Sequence, residues 1–147
     1  MAHDFDRFPE LTNSQLDFYY FDSPHKQIFE DFFAVVTKVH DGDTIKVKWR
    51  ERDFEFPVRF SNIAAPELKD EGGKDAQSWL ETLILDKEVY IKVNKANRVE
   101  KWGRLLGKIV FQGMDVGEQE INLGISKPWN LRHDGSFRND IPKKVIP

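Results

Sequence analysis

From Phe33 to Phe60 the chain sets apolar side chains at every second position in three successive runs. A period of two fits extended strands with one buried face and does not fit a helix. Phe33, Val35, Thr37 and Val39 alternate with Ala34, Val36 and Lys38, and Asp41-Gly42 then supplies a turn. Residues 43–50 place Ile45, Val47 and Trp49 on one face and Thr44, Lys46, Lys48 and Arg50 on the other, a half-buried strand with a basic outer side. After a turn near Glu51, Phe54, Phe56, Val58 and Phe60 share a face. Arg59 therefore falls on the opposite face, presented and not buried with the phenylalanines.

Beyond Pro66 and Gly72-Gly73 the period changes. Ala76, Trp79, Leu80, Leu83 and Ile84 recur at helical spacing. Val89, Ile91 and Val93 predict a fourth strand, and Leu105 to Gln112 a fifth after the charged turn Asn94 to Gly103. Residues 115–125 predict a second short helix, weakened by Gly117 and Gly124. Five short strands with a helix between the third and fourth give an α+β, mainly β chain, a five-stranded Greek-key barrel of the OB type. A length of 147 residues suits one core. The expected division is a barrel domain over 32–130, an N-terminal extension over 1–31 and an irregular tail over 131–147. The extension is acidic and aromatic, with a short helix expected from Thr12 to Tyr19. Its Phe18, Tyr19, Tyr20 and Phe21 are too many for a free tail, so packing on the barrel is expected. A role in dimerisation or docking to a protein partner is the other reading.

The net charge of −3 excludes a protein coated in positive charge, so any nucleic-acid contact is local. Lys46, Lys48 and Arg50 are either a polynucleotide track or a solvated strand face. The absence of cysteine excludes disulfides and thiolate metal sites, and His3, His25, His40 and His133 lack zinc-ligand spacing. No segment reads as a membrane span. The expectation is a soluble chain, cytoplasmic as given, although a removed secretion signal would leave the same sequence.

Phosphodiester hydrolysis needs carboxylates for a cation, a group that positions water, and fixed positive donors for the developing charge. Asp43 starts the second strand, Arg59 ends the third, Glu67 follows it and Arg104 starts the fifth. Barrel topology brings such strand ends together. Taken singly, each has a plainer reading. The arginines would be surface ion pairs, Asp41-Gly42 a hairpin turn and Glu67 an acid near a helix start.

Taken in order, Asp41-Gly42-Asp43-Thr44, Val58-Arg59-Phe60, Ile63-Ala64-Ala65-Pro66-Glu67 and Lys101-Trp102-Gly103-Arg104 resemble the staphylococcal nuclease (thermonuclease) family. The resemblance runs from about Phe33 to Trp129 and leaves the first 31 residues without a counterpart. It implies Ca²⁺ held by Asp43 and the backbone carbonyl of Ala65, with Asp41 and Thr44 supporting from behind. It also implies that Glu67 orients or activates water and that Arg59 and Arg104 hold the phosphate. Lys101 and Trp102 would lie near the substrate phosphate and base. The implied activity is endonucleolytic cleavage of DNA or RNA with little sequence preference, leaving 3′-phosphate ends.

One position departs from the pattern: Ala64 stands where the family has a second metal-binding aspartate. A methyl cannot bind calcium, and hard cations gain affinity with each anionic oxygen. Weak cation binding and low activity are expected, whether Ala64 is natural or a deliberate replacement. The alternative function is a non-catalytic OB module that binds nucleic acid or a protein partner.

Overall fold

The computed structural model describes residues 3–133. Five strands form the barrel: β1 (Phe32–Asp41), β2 (Thr44–Lys48), β3 (Glu55–Phe60), β5 (Glu88–Val93) and β6 (Leu105–Phe111). They run β3-β2-β1-β5-β6, and β3 closes the barrel by pairing in parallel with β6, Val58 opposite Leu105 and Arg59 opposite Leu106. The other neighbours are antiparallel. Two-residue strands are added to the five expected: β4 (Ile63–Ala64) pairs with β8 (Lys127–Pro128), and β7 (Met114–Asp115) extends the sheet beside β6. The OB-type α+β architecture is thus the observed one.

The alternation in β1 breaks phase. Phe32, Ala34 and Val36 are buried, and the next buried residue is Val39, because the β1–β2 register shifts between Val36 and Lys38. Such an irregularity bends a strand so that it can serve two neighbours. Ile45, Val47, Phe56, Val58, Phe60, Ile91, Leu105 and Ile109 fill the barrel. Helix α2 (Gly73–Ile84) covers one side of it, burying Ala76, Leu80 and Ile84, with Trp79 and Leu83 partly buried at the edge. Helix α3 (Val116–Asn122) starts where the Asp115 side chain accepts a hydrogen bond from the Glu118 amide.

Three expectations need correction. The helix predicted over Thr12 to Tyr19 is reduced to α1 (Leu16–Tyr19) followed by a 3-10 turn at Tyr20–Asp22, and neither element buries a residue. Isolated short helices are marginal without tertiary packing. Phe18 and Phe21 do not pack on the barrel; they are 78% and 95% exposed. Contact with the barrel runs instead through buried Leu11, Ile28 and Glu10, whose carboxylate bridges the Arg52 and Arg98 guanidinium groups. Thr44, assigned to the outer face of its strand, is buried, because it starts β2 beside the turn, where its hydroxyl meets Asp43 and the Arg104 guanidinium. The tail expected over 131–147 lies outside the described residues beyond His133.

Candidate phosphate site

The β1–β2 turn presents Asp41, Gly42 and Asp43. The Asp43 amide donates to Asp41 Oδ1 at 3.1 Å, and the Asp43 carbonyl accepts from the Phe60 amide at 2.8 Å, which fixes the turn against the end of β3. A Cβ on Gly42 would stand 2.7 Å from that of Ala65 and 2.8 Å from that of Ala76. Only glycine lets this turn sit against both the β4 segment and α2.

Asp43 is the hub. Its Oδ2 accepts from Arg59 Nη2 at 3.1 Å and from the Ala65 amide at 2.9 Å, while Oδ1 accepts from the Thr44 hydroxyl at 3.1 Å. The Thr44 oxygen in turn accepts from Arg104 Nη1 at 3.3 Å. Arg104 is gripped from behind by Glu100, which accepts from its Nε at 2.7 Å and its Nη2 at 3.0 Å. Two topological facts produce this chain: Thr44 is the cross-strand partner of Arg59, and the parallel seam places Leu105 beside Val58. Arg59 is not simply presented on an open face, as its strand position suggested. Its side chain is 11% exposed, and its Nη1 donates to the Phe60 carbonyl at 2.5 Å and the Ile63 carbonyl at 3.3 Å. Trp129 lies with its ring 4.6 Å from the Arg59 guanidinium and 4.0 Å from that of Arg132, so one indole is shared by two cations.

Carboxylates are crowded here. Burial, and next the charge of Asp43, push the Asp41 carboxyl up to about 7. Glu120, on α3, is fully buried; burial drives its carboxyl well above the usual range, and the charges of Asp43 and Asp41 act in the same direction. Its Oε1 accepts from the Ser126 hydroxyl at 2.7 Å, and its Oε2 has no hydrogen-bond partner among the described residues. The hydrogen bonds to Glu100 hold Arg104 cationic above its ordinary range.

The donor set does not fit a calcium ion. Asp43 already accepts three hydrogen bonds, and Ala64 offers a methyl where a second carboxylate is needed. Among the described residues no three His, Cys, Asp or Glu side chains group as a metal site.

The remaining candidates lie further out. Ala64 is buried on β4 opposite Lys127, one residue before the amide that meets Asp43. Glu67 is exposed on the following loop, its carboxylate 3.6 Å from Lys69 Nζ. Lys101 and Trp102 are exposed at the tip of the turn that precedes Arg104, the ammonium 5.1 Å from the indole. The structure thus joins Asp41, Asp43, Thr44, Arg59, Ala65 and Arg104, and leaves Glu67, Lys101 and Trp102 exposed and outside this hydrogen-bonded set. Sequence reasoning passed over Glu100, Trp129 and Glu120. The spacing of Glu100 and Arg104 was a readable signal. Nothing in the sequence marks Glu120 as buried.

The profile of the family described as staphylococcal nuclease homologue matches residues 57–138, more than half of the chain. An uncharacterized endonuclease of Escherichia coli O157:H7 is 30% identical over 95 residues, covering 64% of this chain and 59% of its own length. Endonuclease YncB of Bacillus subtilis is 29% identical over 93 residues, covering 59% of this chain and 43% of its own. The SPbeta prophage-derived endonuclease YokF of the same species is 30% identical over 93 residues, covering 59% and 31%. The match therefore spans about three fifths or less of these relatives.

Proposed function

Because the chain belongs to the family of staphylococcal nuclease homologues, we propose that it binds a nucleic-acid phosphodiester at Arg59 and Arg104 and hydrolyses it slowly. The observation that supports this most is the continuous path from Arg59 through Asp43 and Thr44 to Arg104. A planar guanidinium fork suits the paired oxygens of a phosphate, and each fork here is held in one orientation by carboxylate or carbonyl acceptors. Preorganised donors of this kind stabilise charge as it develops without reorganising at the moment of reaction. Glu67, on the exposed loop beside the site, is the group that would take a proton from the attacking water. No step is assigned to a cation, since the donors around Asp43 do not make a calcium site.

The competing reading is an OB module that binds nucleic acid without cutting it. The outward position of Glu67, paired with Lys69, favours it. One experiment separates the two: binding and cleavage of single-stranded DNA and RNA, with and without Ca²⁺, by the parent chain and by Arg59→Lys and Arg104→Lys. Slow cleavage that leaves 3′-phosphate ends and falls at least about tenfold in either variant supports the nuclease. Arginine-dependent binding with no cleavage leaves the module. Binding that neither arginine affects removes both.

A further inference from the structure

The connection between β5 and β6 carries Lys101, Trp102 and Arg104; Val99 seats it in the barrel core opposite Leu105, and the segment before β1 holds it from outside. Arg98, in this connection and fully buried, donates from Nε to the Ile28 carbonyl at 2.6 Å, from Nη1 to the Leu11 carbonyl at 2.9 Å, and from Nη2 to Glu10 Oε2 at 2.8 Å. All three acceptors precede β1. From the opposite direction, the Asn13 amide donates to the carbonyls of Lys95 and Ala96 at 3.2 and 3.1 Å. At the far end of the turn the Phe8 ring covers Gly103, where an added Cβ would meet Phe8 Cδ1 at 2.4 Å. Gly103 has φ +86 and directly precedes Arg104.

The turn is closed by hydrogen bonds between Glu100 and Arg104, between Gly103 and Glu100, and between Leu106 and Arg98. Its geometry sets both the Arg104 guanidinium and the Glu100 carboxylate that grips it. Phe8 and Arg98 fix the two ends of this turn, one by packing and one by buried hydrogen bonds. Among the described residues two buried guanidinium groups, Arg52 and Arg98, share the single Glu10 carboxylate, so removing Glu10 would leave both charges buried without their anion.

We propose that the segment Phe8–Ile28 is a positioning element of the phosphate site, in which Phe8, Glu10 and Asn13 hold the 94–104 connection and thereby aim Arg104. Phe8, Glu10 and Asn13 are positioning residues, for they reach the phosphate only through Arg104. The inference rests on the reading of Arg59 and Arg104 as phosphate ligands. It adds that, in this chain, loosening the segment before β1 should loosen the turn that carries Arg104.

The test uses the full chain and Phe8→Ala, Asn13→Ala, Phe8→Leu and Arg104→Ala variants. Hydrogen exchange at the Glu100, Gly103 and Leu106 amides reports the turn. Anisotropy of a labelled single-stranded oligonucleotide reports the site. Expected are faster exchange at those amides and binding weakened about tenfold in Phe8→Ala and Asn13→Ala, recovery in Phe8→Leu, and no further loss when Phe8→Ala is added to Arg104→Ala. Unchanged exchange overturns the inference. So does unchanged binding in Phe8→Ala while Arg104→Ala loses it, an outcome that leaves the phosphate reading intact. If Arg104→Ala itself binds normally, the phosphate reading fails and takes the positioning role with it, whatever the amides show.

Discussion

Arg59 and Asp43 form an ion pair at 3.1 Å in which each side chain is only 11% exposed, so the cation proposed to hold phosphate is already balanced by an internal anion. Asp43→Asn removes that balance. The variant should lose roughly 1.5–3 kcal/mol of stability, the range for hydrogen bonds to charged groups. It should also bind a single-stranded oligonucleotide more tightly, because one negative charge leaves the site. Urea unfolding and anisotropy in a chelating buffer measure both. Weaker binding would mean that the orientation of Arg59, and not charge balance, governs affinity.

Ala64 precedes the amide that meets Asp43, and an aspartate there would add an anionic donor where the present set falls short. Ala64→Asp should bind Ca²⁺ measurably by calorimetry and raise calcium-dependent cleavage of single-stranded DNA by about a hundredfold or more, comparable to one well-placed electrostatic group. Glu67→Gln in that background is the control and should abolish the gain. If calcium binding returns while cleavage stays flat, the missing carboxylate is not the limiting feature and the binding-module reading moves ahead.

Glu120 provides a pH-dependent prediction. Burial raises its carboxyl in the folded state above the ordinary 4.5, so the folded chain holds a proton that the unfolded chain releases. Stability then falls as pH rises above about 4.5, at up to about 1.4 kcal/mol per pH unit from this group, until the folded carboxyl itself ionises. Glu120→Gln keeps an acceptor for Ser126 and removes this group's share of the slope, leaving that of Asp41. The variant should match the parent near pH 4 and exceed it at pH 8 in chemical denaturation, and a parent that is the more stable form at pH 8 would rule this out.

The N-terminal residues divide into anchors and exposed aromatics. Leu11 is fully buried, and Leu11→Ala should cost about 2–5 kcal/mol. The double change Phe18→Ser with Phe21→Ser should move stability by no more than about 0.5 kcal/mol. Thermal unfolding of the two variants side by side gives the answer. A large loss in the serine pair would show that these rings have a partner, such as a second copy of the chain.

The barrel was legible because its strands are half-buried and carry the period of two in their side chains, as Ile45, Val47 and Phe56 do. The α2 helix was legible for the matching reason at a period of 3.6. What escaped were features set by the meeting of distant segments. The phase break after Val36 depends on β1 serving two neighbours, and the burial of Thr44 on a turn closed by Arg104. At the site, residue types and order pointed to Asp43, Arg59 and Arg104. They could not tell that Arg59 would be neutralised internally or that Glu67 would face outward beside Lys69. In the N-terminal segment hydrophobicity misled. Phe18 and Phe21 carry the most apolar surface, but the segment is held by backbone carbonyls accepting from Arg98, which no composition reveals.

The seam between β3 and β6 is parallel, and Arg59 and Arg104 stand at its two sides, 45 positions apart in the chain. A parallel pair cannot close as a local hairpin, so everything from the end of β3 to the 94–104 turn must be in place first. Such long-range closures come late and slowly in folding. On the proposed reading, a nascent chain emerging from the ribosome would lack the paired arginines until Leu105 to Gly107 had cleared the exit tunnel, and Arg59 would gain its indole cover only when Trp129 followed.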